Sequence, residues 1–475
     1  MRRLATLVFV ILALPATAAA QQSDPNCLNT DPPPVTKPPH PIRFGITPGA
    51  AGSVGGGQAN VVAEDDAKAM AALRDLRPGG RALVMRLNRL FWADGDEGIK
   101  RFAALTDKYA SAGFQVESQV RYHPPEGKEG DIAAWVQYVR AVARELGRRP
   151  ALSALSITNE GNFDGSKNTS DGAYEGVVDA LVQGTVAARE ELDAMGRQDV
   201  QLGFSMMWRW RPDGDRKFWE DIGAKGTPAF RAAVDYVGLQ IYPGLVYPPA
   251  PQPGRSAGDE IVEALTLLRN CYMPKGKLGP EVSTWISENG YATNLGRSEE
   301  SQVADLRSTL DVVSKWSGEL GISDYRYFNL RDNDSDGSDL FAAVGLLRDD
   351  YSRKPAFATF GGAVAQLGAD APPLVPVPQP PTAPATPPRF DPSGLRVSIR
   401  RRGRRTLVVG GRVLGGRCTG RVRVKIGRKT RRVKVRRDCR FRLRAKVRGR
   451  ARSVRVVVRR GRVAATRRVR LGRAR

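Results

Sequence analysis

Two glutamates directly follow apolar segments of the chain, where a charged carboxylate is unexpected. Glu160 follows the segment 155–158 and is preceded by Asn159, and Glu288 follows the segment 285–287. Removing a charge from water costs free energy, so a functional role is the simplest explanation for each position. Hydrolysis of a glycosidic bond supplies that role. It needs one carboxyl group to protonate the leaving oxygen and another to attack or support the anomeric carbon.

The elements that must position these glutamates repeat along residues 41–370. Apolar or β-rich segments end near residues 46, 87, 121, 159, 206, 241, 288 and 329, and helical patterns fall between them, for example at 66–76, 99–112, 132–146 and 176–195. Eight βα units of about forty residues predict a parallel (β/α)8 TIM barrel. Because strands four and seven lie on opposite sides of the barrel mouth, Glu160 and Glu288 can flank a bond that crosses it.

A doubly wound parallel sheet is the alternative fold for this pattern. Glycines 55–57 follow the first strand, but they lack the spacing of a phosphate-binding turn and its acidic partner, so they predict a flexible loop. Asp332, Asp334 and Asp336 resemble the start of a calcium loop without its distant glutamate and glycine, and they predict a solvated loop. The only histidines are His40 and His123. We therefore expect neither a metal nor a cofactor.

The Asn-Glu pair ending strand four, with a second glutamate ending strand seven, resembles the large clan of retaining (β/α)8 glycosidases, which includes cellulases and β-xylosidases. The resemblance covers residues 41–369. It implies that Glu160 is the general acid/base and Glu288 the nucleophile of a double displacement, with the two carboxyl groups about 5–5.5 Å apart. It also implies that Asn159 hydrogen-bonds the 2-hydroxyl of the sugar.

The same resemblance extends to residues that would support the nucleophile. Arg86, near the end of strand two, would hold Glu288 ionised, and the hydroxyl of Tyr242 would hydrogen-bond it. A structural ion pair or a helix cap is the alternative role for Arg86 and for Asn159.

Three further residues are candidates for contact with the sugar itself. His123 follows strand three and would line the glycone subsite, while Trp208 and Trp210 follow strand five and offer flat rings for stacking. Packing is the alternative role for these aromatic residues. Two departures from the clan affect the same subsite: Gln240 stands where many members have histidine, and Phe328 where many have tryptophan. The sequence therefore leaves the identity of the sugar open.

The first twenty residues predict export. Residues 1–20 combine a basic start, an apolar run over 4–14 and three alanines at 18–20, which is typical of a signal peptide, so we expect a secreted protein without a membrane span. Residues 21–40 form a Pro-rich arm, and residues 371–391 a Pro-rich linker. Of the three pairings that four cysteines allow, we favour Cys27–Cys271 with Cys418–Cys439.

The excess positive charge belongs to the C-terminal region. Residues 389–475 contain 35 lysines and arginines against two acidic residues, which leaves 40 basic and 47 acidic residues in the rest of the chain. Apolar and basic residues alternate at 395–400, 421–426 and 440–447, which predicts an antiparallel, sandwich-like β-domain over 392–475 with one basic face. Glycine pairs at 410–411 and 415–416, with Gly449, predict turns.

The basic domain has two explanations. It could bind an anion, for which an anionic cell-wall polymer is the best candidate, or its arginines could be a solvated face that prevents edge-to-edge aggregation. Nucleic acid is not expected, because no nucleic-acid motif is present. Stacking of a sugar on this domain is not expected either, since Phe390 and Phe441 are the only aromatic residues in 389–475.

Three functions therefore compete. The first is a secreted glycosidase that hydrolyses a poly- or oligosaccharide, with a preference for β-linkages implied by the clan. The second is a non-catalytic carbohydrate-binding barrel, and the third is a surface-attachment protein in which the basic domain dominates. Both glutamates together with Asn159 favour the first.

Overall fold

The chain divides into two structural units, residues 1–378 and 379–475. The computed structural model describes residues 31–49, 63–208, 212–246, 248–250, 252–372, 395–401, 406–413, 421–426, 429–436, 440–446, 453–460 and 463–470. Several predictions concern residues outside these ranges: the signal peptide at 1–20, the loop at 55–57, Trp210, most of the linker, and Cys27, Cys418 and Cys439. The two disulfide pairings accordingly stay predictions.

Eight parallel strands close into a barrel in the first unit, so the predicted (β/α)8 fold is confirmed. The barrel closes where β8 pairs with β1, with Phe44 opposite Tyr325. The strands are Arg43–Ile46 (β1), Val84–Phe91 (β2), Gln115–Arg121 (β3), Leu152–Ile157 (β4), Gln201–Met207 (β5), Tyr236–Gln240 (β6), Ser283–Asn289 (β7) and Ile322–Tyr327 (β8).

Helices surround the barrel, and their ends follow ordinary capping rules. The described α-helices are Asp66–Asp75 (α1), Gly95–Ser111 (α2), Ile132–Leu146 (α3), Val177–Asp193 (α4), Pro212–Lys225 (α5), Pro228–Ala233 (α6), Ala257–Leu267 (α7), Met273–Lys275 (α8), Glu299–Leu320 (α9) and Pro355–Leu367 (α10). In α3, Asp131 caps the first turn by accepting from the backbone N–H of Ala134. Its buried side chains include Trp135, Val139 and Val142, the spacing of a helix with one apolar face.

The barrel interior around Tyr236 and Trp285 is aromatic and charged rather than aliphatic. The rings of Tyr236 and Trp285 stack with centroids 3.4 Å apart, and the guanidinium of Arg326 lies 4.9 Å from the Trp285 ring centroid. Glycine at position 45 makes room for Arg326, since a Cβ there would lie 2.5 Å from its Cδ. Branched aliphatic layers are usual in such barrels. Because Arg326 brings a charge into this interior, it needs an ion pair with another buried side chain.

One predicted solvated loop is partly buried. Asp332 is fully buried, and its Oδ1 lies 2.8 Å from Nζ of Lys354 and accepts the backbone N–H of Gly345 at 2.7 Å. The prediction for Asp332 is therefore wrong, because an ion pair and a backbone donor replace water around this carboxylate.

The second unit contains two antiparallel sheets with strand orders β13-β10-β9 and β12-β11-β14-β15. The strands are Leu395–Arg401 (β9), Thr406–Val413 (β10), Arg421–Ile426 (β11), Lys429–Lys434 (β12), Arg440–Lys446 (β13), Ser453–Arg460 (β14) and Val463–Arg470 (β15). In β11 the valines are buried and the basic residues exposed, as alternation predicts. Phe441 is buried.

The turn predicted at Gly410 and Gly411 is wrong. Both lie inside β10, which is paired on both sides: Gly410 is opposite Ser398 of β9 and Arg442 of β13. Backbone pairing with two neighbouring strands here outweighs the preference of glycine for turns. None of the helices in the described ranges is long and apolar enough to cross a membrane.

Candidate active site

The carboxyl ends of the barrel strands open into a cavity of about 330 Å³. Glu160 and Glu288 both line it, together with Asn159 and Tyr242. The structure thus brings together four of the residues that the sequence proposes for the site. In the described part of the chain, no group of three or more histidine, cysteine, aspartate or glutamate side chains could hold a metal ion.

Glu160 lies on an unusual backbone turn at the end of β4. Thr158 and Glu160 have φ angles of 67° and 47°, a left-handed conformation that is uncommon outside glycine and clusters at functional sites. Asp171 holds this turn in place. One of its carboxylate oxygens accepts the backbone N–H of Asn159 and that of Tyr122, each at 2.8 Å.

Asn159 is oriented by the donors around its amide oxygen. That oxygen accepts from Nε2 of Gln119 at 2.8 Å and from Nε2 of Gln240 at 2.6 Å. The amide nitrogen therefore faces the other way, 3.4 Å from Oε2 of Glu160 and 3.1 Å from the carbonyl oxygen of Thr169. Gln240, which departs from the clan pattern, thus serves here to hold Asn159.

Both carboxylate oxygens of Glu288 are engaged. Nη1 of Arg86 lies 2.6 Å from Oε1, and the hydroxyl of Tyr242 donates to Oε2 at 2.7 Å. Arg86 is fully buried, so this ion pair is shielded from water and salt. Arg86 and Tyr242 therefore lie where the sequence predicts, in contact with the proposed nucleophile.

The two glutamates have different electrostatic environments. Burial, and then the nearby carboxylate of Glu288, raise the pKa of Glu160 to about 8, although Arg121 and Arg86 oppose the shift. Glu160 therefore holds a proton at neutral pH and can donate it. Glu288 lies in the cavity wall in an ion pair with Arg86. A carboxyl group with a raised pKa beside one that is ion-paired with an arginine is the arrangement expected of an acid and its partner base or nucleophile.

A chain of buried ion pairs continues from Glu288 into the barrel. Nε of Arg86 lies 3.4 Å from Oε1 of Glu117, and the other oxygen of Glu117 is 2.8 Å from Nε of Arg326. Arg86, Glu117 and Arg326 are all fully buried. Glu117 was not predicted as a functional residue, and its signal is an acidic residue inside a strand whose other side chains are almost all buried.

Asp324 and Arg43 complete this chain at the amino-terminal side of the barrel. Oδ1 of Asp324 lies 2.6 Å from Nη2 of Arg326 and 2.7 Å from Nε of Arg43. Burial alone would raise the pKa of Asp324, but Arg43 and Arg326 outweigh it and lower the pKa. The groups therefore alternate in charge from the cavity to the far end of the barrel.

We predict that Glu117→Gln lowers the free energy of unfolding by about 3–5 kcal/mol, because it leaves Arg86 and Arg326 with one partner fewer inside the barrel. Urea unfolding followed by circular dichroism measures the change. Glu97→Gln is the control, since it removes only an exposed pair with Lys100 and should change stability by less than about 1 kcal/mol. Equal stability of the two variants would contradict a structural role for the buried chain.

His123 and Trp208 are not among the residues that line the cavity. His123 is hydrogen-bonded through Nδ1 to the hydroxyl of Tyr174 at 2.8 Å, and its ring packs 5.1 Å from that of Phe91. Trp208 is only 2 % exposed. The ring of His123 therefore packs against neighbouring protein groups, that of Trp208 is buried, and their contact with a sugar stays a prediction.

Several cavity residues were not predicted. Arg89 and Arg121 line the cavity near the ends of β2 and β3, and Phe91 and Phe341 supply apolar surface. A charged residue at the last position of a predicted strand, as in Arg121, is the same signal that identified Glu160 and Glu288.

No protein-family model matches the chain, and no curated protein matches it. Solved structures match at low identity. GH5_18 from Streptomyces cattleya, in complex with GlcNAc, has 18% identity and a TM-score of 0.48 over 69% of this chain and 81% of its own. The β-glycosidase BGL167 has 15% identity and a TM-score of 0.45 over 72% and 99%. Bacteroides uniformis β-glucuronidase 2 has 13% identity and a TM-score of 0.41 over 91% of this chain and 46% of its own length.

Proposed function

We propose that this protein is a retaining glycoside hydrolase that acts on O-glycosidic bonds of a poly- or oligosaccharide. The observation that carries the proposal is that Glu160, whose pKa is raised, and Glu288, which is ion-paired with Arg86, line one cavity at the barrel mouth. The β-configuration of the bond rests on the resemblance of the two strand-end motifs. Export rests on residues 1–20.

The first step transfers the sugar to the protein. A carboxylate oxygen of Glu288 attacks the anomeric carbon and forms an ester, while the bond from that carbon to the leaving oxygen breaks and Glu160 gives its proton to that oxygen. The oxygen of the Asn159 amide is held by Gln119 and Gln240. Its N–H that faces Glu160 at 3.4 Å makes the weaker of the two contacts of that nitrogen and can donate instead to the sugar 2-hydroxyl.

The second step returns both carboxyl groups to their starting state. Glu160, now a carboxylate, takes a proton from water as the water oxygen attacks the anomeric carbon, and the ester bond to Glu288 breaks. Arg86 and Tyr242 stabilise the negative charge that returns to Glu288, since both contact its carboxylate.

The proposal is tested by incubating the purified full chain with a panel of β-linked polysaccharides and aryl glycosides. Release of reducing sugar, with retention of anomeric configuration seen in early proton NMR spectra, is the expected result. A non-catalytic carbohydrate-binding barrel is the alternative, and it predicts saccharide binding by a folded protein without hydrolysis of any panel member. An inverted first product would overturn the double displacement.

The pH dependence of hydrolysis follows from Glu160. Its pKa of about 8 means that the proton needed by the leaving group is present below that pH and is lost above it. We therefore predict that kcat/KM falls above about pH 8, approaching tenfold per pH unit, for substrates with poor leaving groups. Initial rates between pH 5 and 10, each checked for enzyme stability, measure this limb. Rates that stay constant to pH 10 would contradict the assignment.

For the C-terminal unit we propose attachment to an anionic cell-wall polymer. The basic residues of β11 are exposed on one face, and the register sets Arg423 opposite Arg432 and Arg421 opposite Lys434. Like charges directly opposite each other destabilise a sheet, and a bound polyanion removes that repulsion.

We predict that reversing three charges of β11, Arg421→Glu, Arg423→Glu and Lys425→Glu, weakens binding of the full chain to immobilised teichoic acid at least about tenfold at low salt. Surface plasmon resonance at increasing NaCl concentrations measures it, and binding by the unaltered chain should fall steeply as salt screens the charges.

The matched control reverses three exposed basic residues of the barrel unit: Lys100, Arg148 and Lys217. Both triple variants change the net charge equally, so only a local binding face separates them. If the two lose affinity equally, the basic sheet acts through net charge and as a solvated face, and the attachment proposal fails.

A further inference from the structure

The cavity wall beside the two glutamates carries a pair of arginines that the proposed reaction does not use. Arg89 belongs to β2 and Arg121 ends β3, and both line the cavity. The Arg121 charge is close enough to Glu160 to influence its pKa, and that of Arg89 lies within range of Glu288. The pair therefore faces the same sugar that the catalytic carboxyl groups would hold.

Arg121 is held rigidly and has donor capacity left. Its side chain is 6 % exposed, with Nε 2.9 Å from Oδ1 of Asp171 and Nη2 donating to the carbonyl oxygen of Thr169 at 2.8 Å. The guanidinium also lies over the ring of Phe91, 5.4 Å from its centroid. Nη1 has no acceptor among the described residues. A nearly buried guanidinium with one unused nitrogen at a cavity wall is suited to a ligand oxygen.

Arg89 brings a second positive charge to the same wall. Partial withdrawal from water, and then repulsion by Arg121, lower the pKa of Arg89, although Glu288 opposes the shift. Two guanidiniums that repel each other are both stabilised by an anion placed between them.

We infer that the sugar bound beside Glu160 and Glu288 carries an anionic substituent, the carboxylate of a uronic acid or a sulfate ester, and that Arg89 and Arg121 bind it. This inference rests on the proposed function, since it names the substrate class of that site. Arg121 selects through a fixed N–H donor and Arg89 mainly through charge. Asn88 and Asn168, which also line the cavity, add neutral polar groups beside them.

Binding of sulfur-linked glycosides tests the inference separately from catalysis, because the thio bond resists hydrolysis. The probes are phenyl 1-thio-β-D-glucuronide, the corresponding galacturonide, the neutral glucoside, and the glucoside 6-sulfate, each titrated into the full chain by calorimetry. An anionic probe should bind at least about tenfold more tightly than the neutral glucoside at low salt. Preference for a uronide assigns the carboxylate, and preference for the sulfated glucoside assigns the sulfate ester.

Substitutions of Arg89 and Arg121 test whether these side chains produce the preference for anionic probes. Arg89→Gln should reduce the ratio of anionic to neutral affinity to within about threefold, and Arg89→Lys should restore much of the ratio because it keeps the charge. Arg121→Lys should also lower the ratio, since it loses the fixed donor. Arg148→Gln, which alters an exposed arginine, is the control and should leave the ratio unchanged.

The outcomes separate this inference from the hydrolase proposal. Neutral binding as tight as anionic binding, or no binding of any anionic probe, overturns the inference. If the neutral p-nitrophenyl glucoside is nevertheless hydrolysed, the hydrolase proposal stands without it. Anionic preference that depends on Arg89, with no hydrolysis of the matching p-nitrophenyl glycoside, supports the ligand class and overturns the hydrolase.

Discussion

Replacing Glu288 with glutamine is expected to reduce hydrolysis by at least about 10⁴-fold, because the reaction loses the group that forms the bond to the anomeric carbon. The exchange keeps nearly the same shape, and Arg86 retains Glu117 as a buried partner. The rate of p-nitrophenol release from the best aryl glycoside of the panel measures the loss. Binding of the matching thioglycoside shows that the cavity remains formed.

Two comparisons make this result specific. Glu281→Gln changes an exposed glutamate just before β7 and should leave the rate unchanged. Glu288→Gly with added sodium azide should recover turnover and produce the α-glycosyl azide, since the small anion attacks from the side that Glu288 vacates. A Glu288→Gln variant that keeps more than about one hundredth of the activity would remove Glu288 from the reaction.

Replacing Glu160 is expected to have an effect that depends on the leaving group. Glu160→Gln removes the proton donor, so hydrolysis of polysaccharide or of alkyl glycosides should fall by about 10²–10⁴-fold. A dinitrophenyl glycoside has a leaving group that departs without protonation, so its first step should be affected far less. Steady-state rates on both substrate types, combined with the burst of dinitrophenol, separate the two steps.

The loss of the acid should also change the pH profile. The decline above about pH 8 should disappear in Glu160→Gln, because the group whose pKa sets it is gone. Glu175→Gln alters an exposed glutamate of the loop that follows β4 and serves as the control. Equal losses on alkyl and dinitrophenyl substrates, with the alkaline limb intact, would show that Glu160 acts on structure and not as the acid.

The barrel and the two glutamates could be predicted because their signals are local. Each βα unit combines an apolar strand with an amphipathic helix, and strand ends in a (β/α)8 barrel share one face. A glutamate that directly follows such a strand therefore maps to the cavity, as Glu160 and Glu288 do. Arg86 also occupies its predicted place, in contact with Glu288.

Other features depend on contacts between distant parts of the chain. Trp208 follows β5 as predicted, yet its backbone N–H donates to the carbonyl of Gln240, and the side chain is buried. The structural role of Glu117 depends on its ion pairs with Arg86 and Arg326, which come from two other strands. Neither arrangement leaves a periodic signal in the sequence, because it depends on which side chains meet across the barrel.

The most direct test of a retaining mechanism is to trap the sugar on the protein. A 2-deoxy-2-fluoro glycoside with a dinitrophenyl leaving group, matched to the preferred sugar, should inactivate the full chain and add one sugar mass. Proteolysis and tandem mass spectrometry should locate that mass on Glu288. Turnover of the parent substrate with the label on another residue, or with no label while inactivation proceeds, would contradict the assignment of Glu288 as the nucleophile.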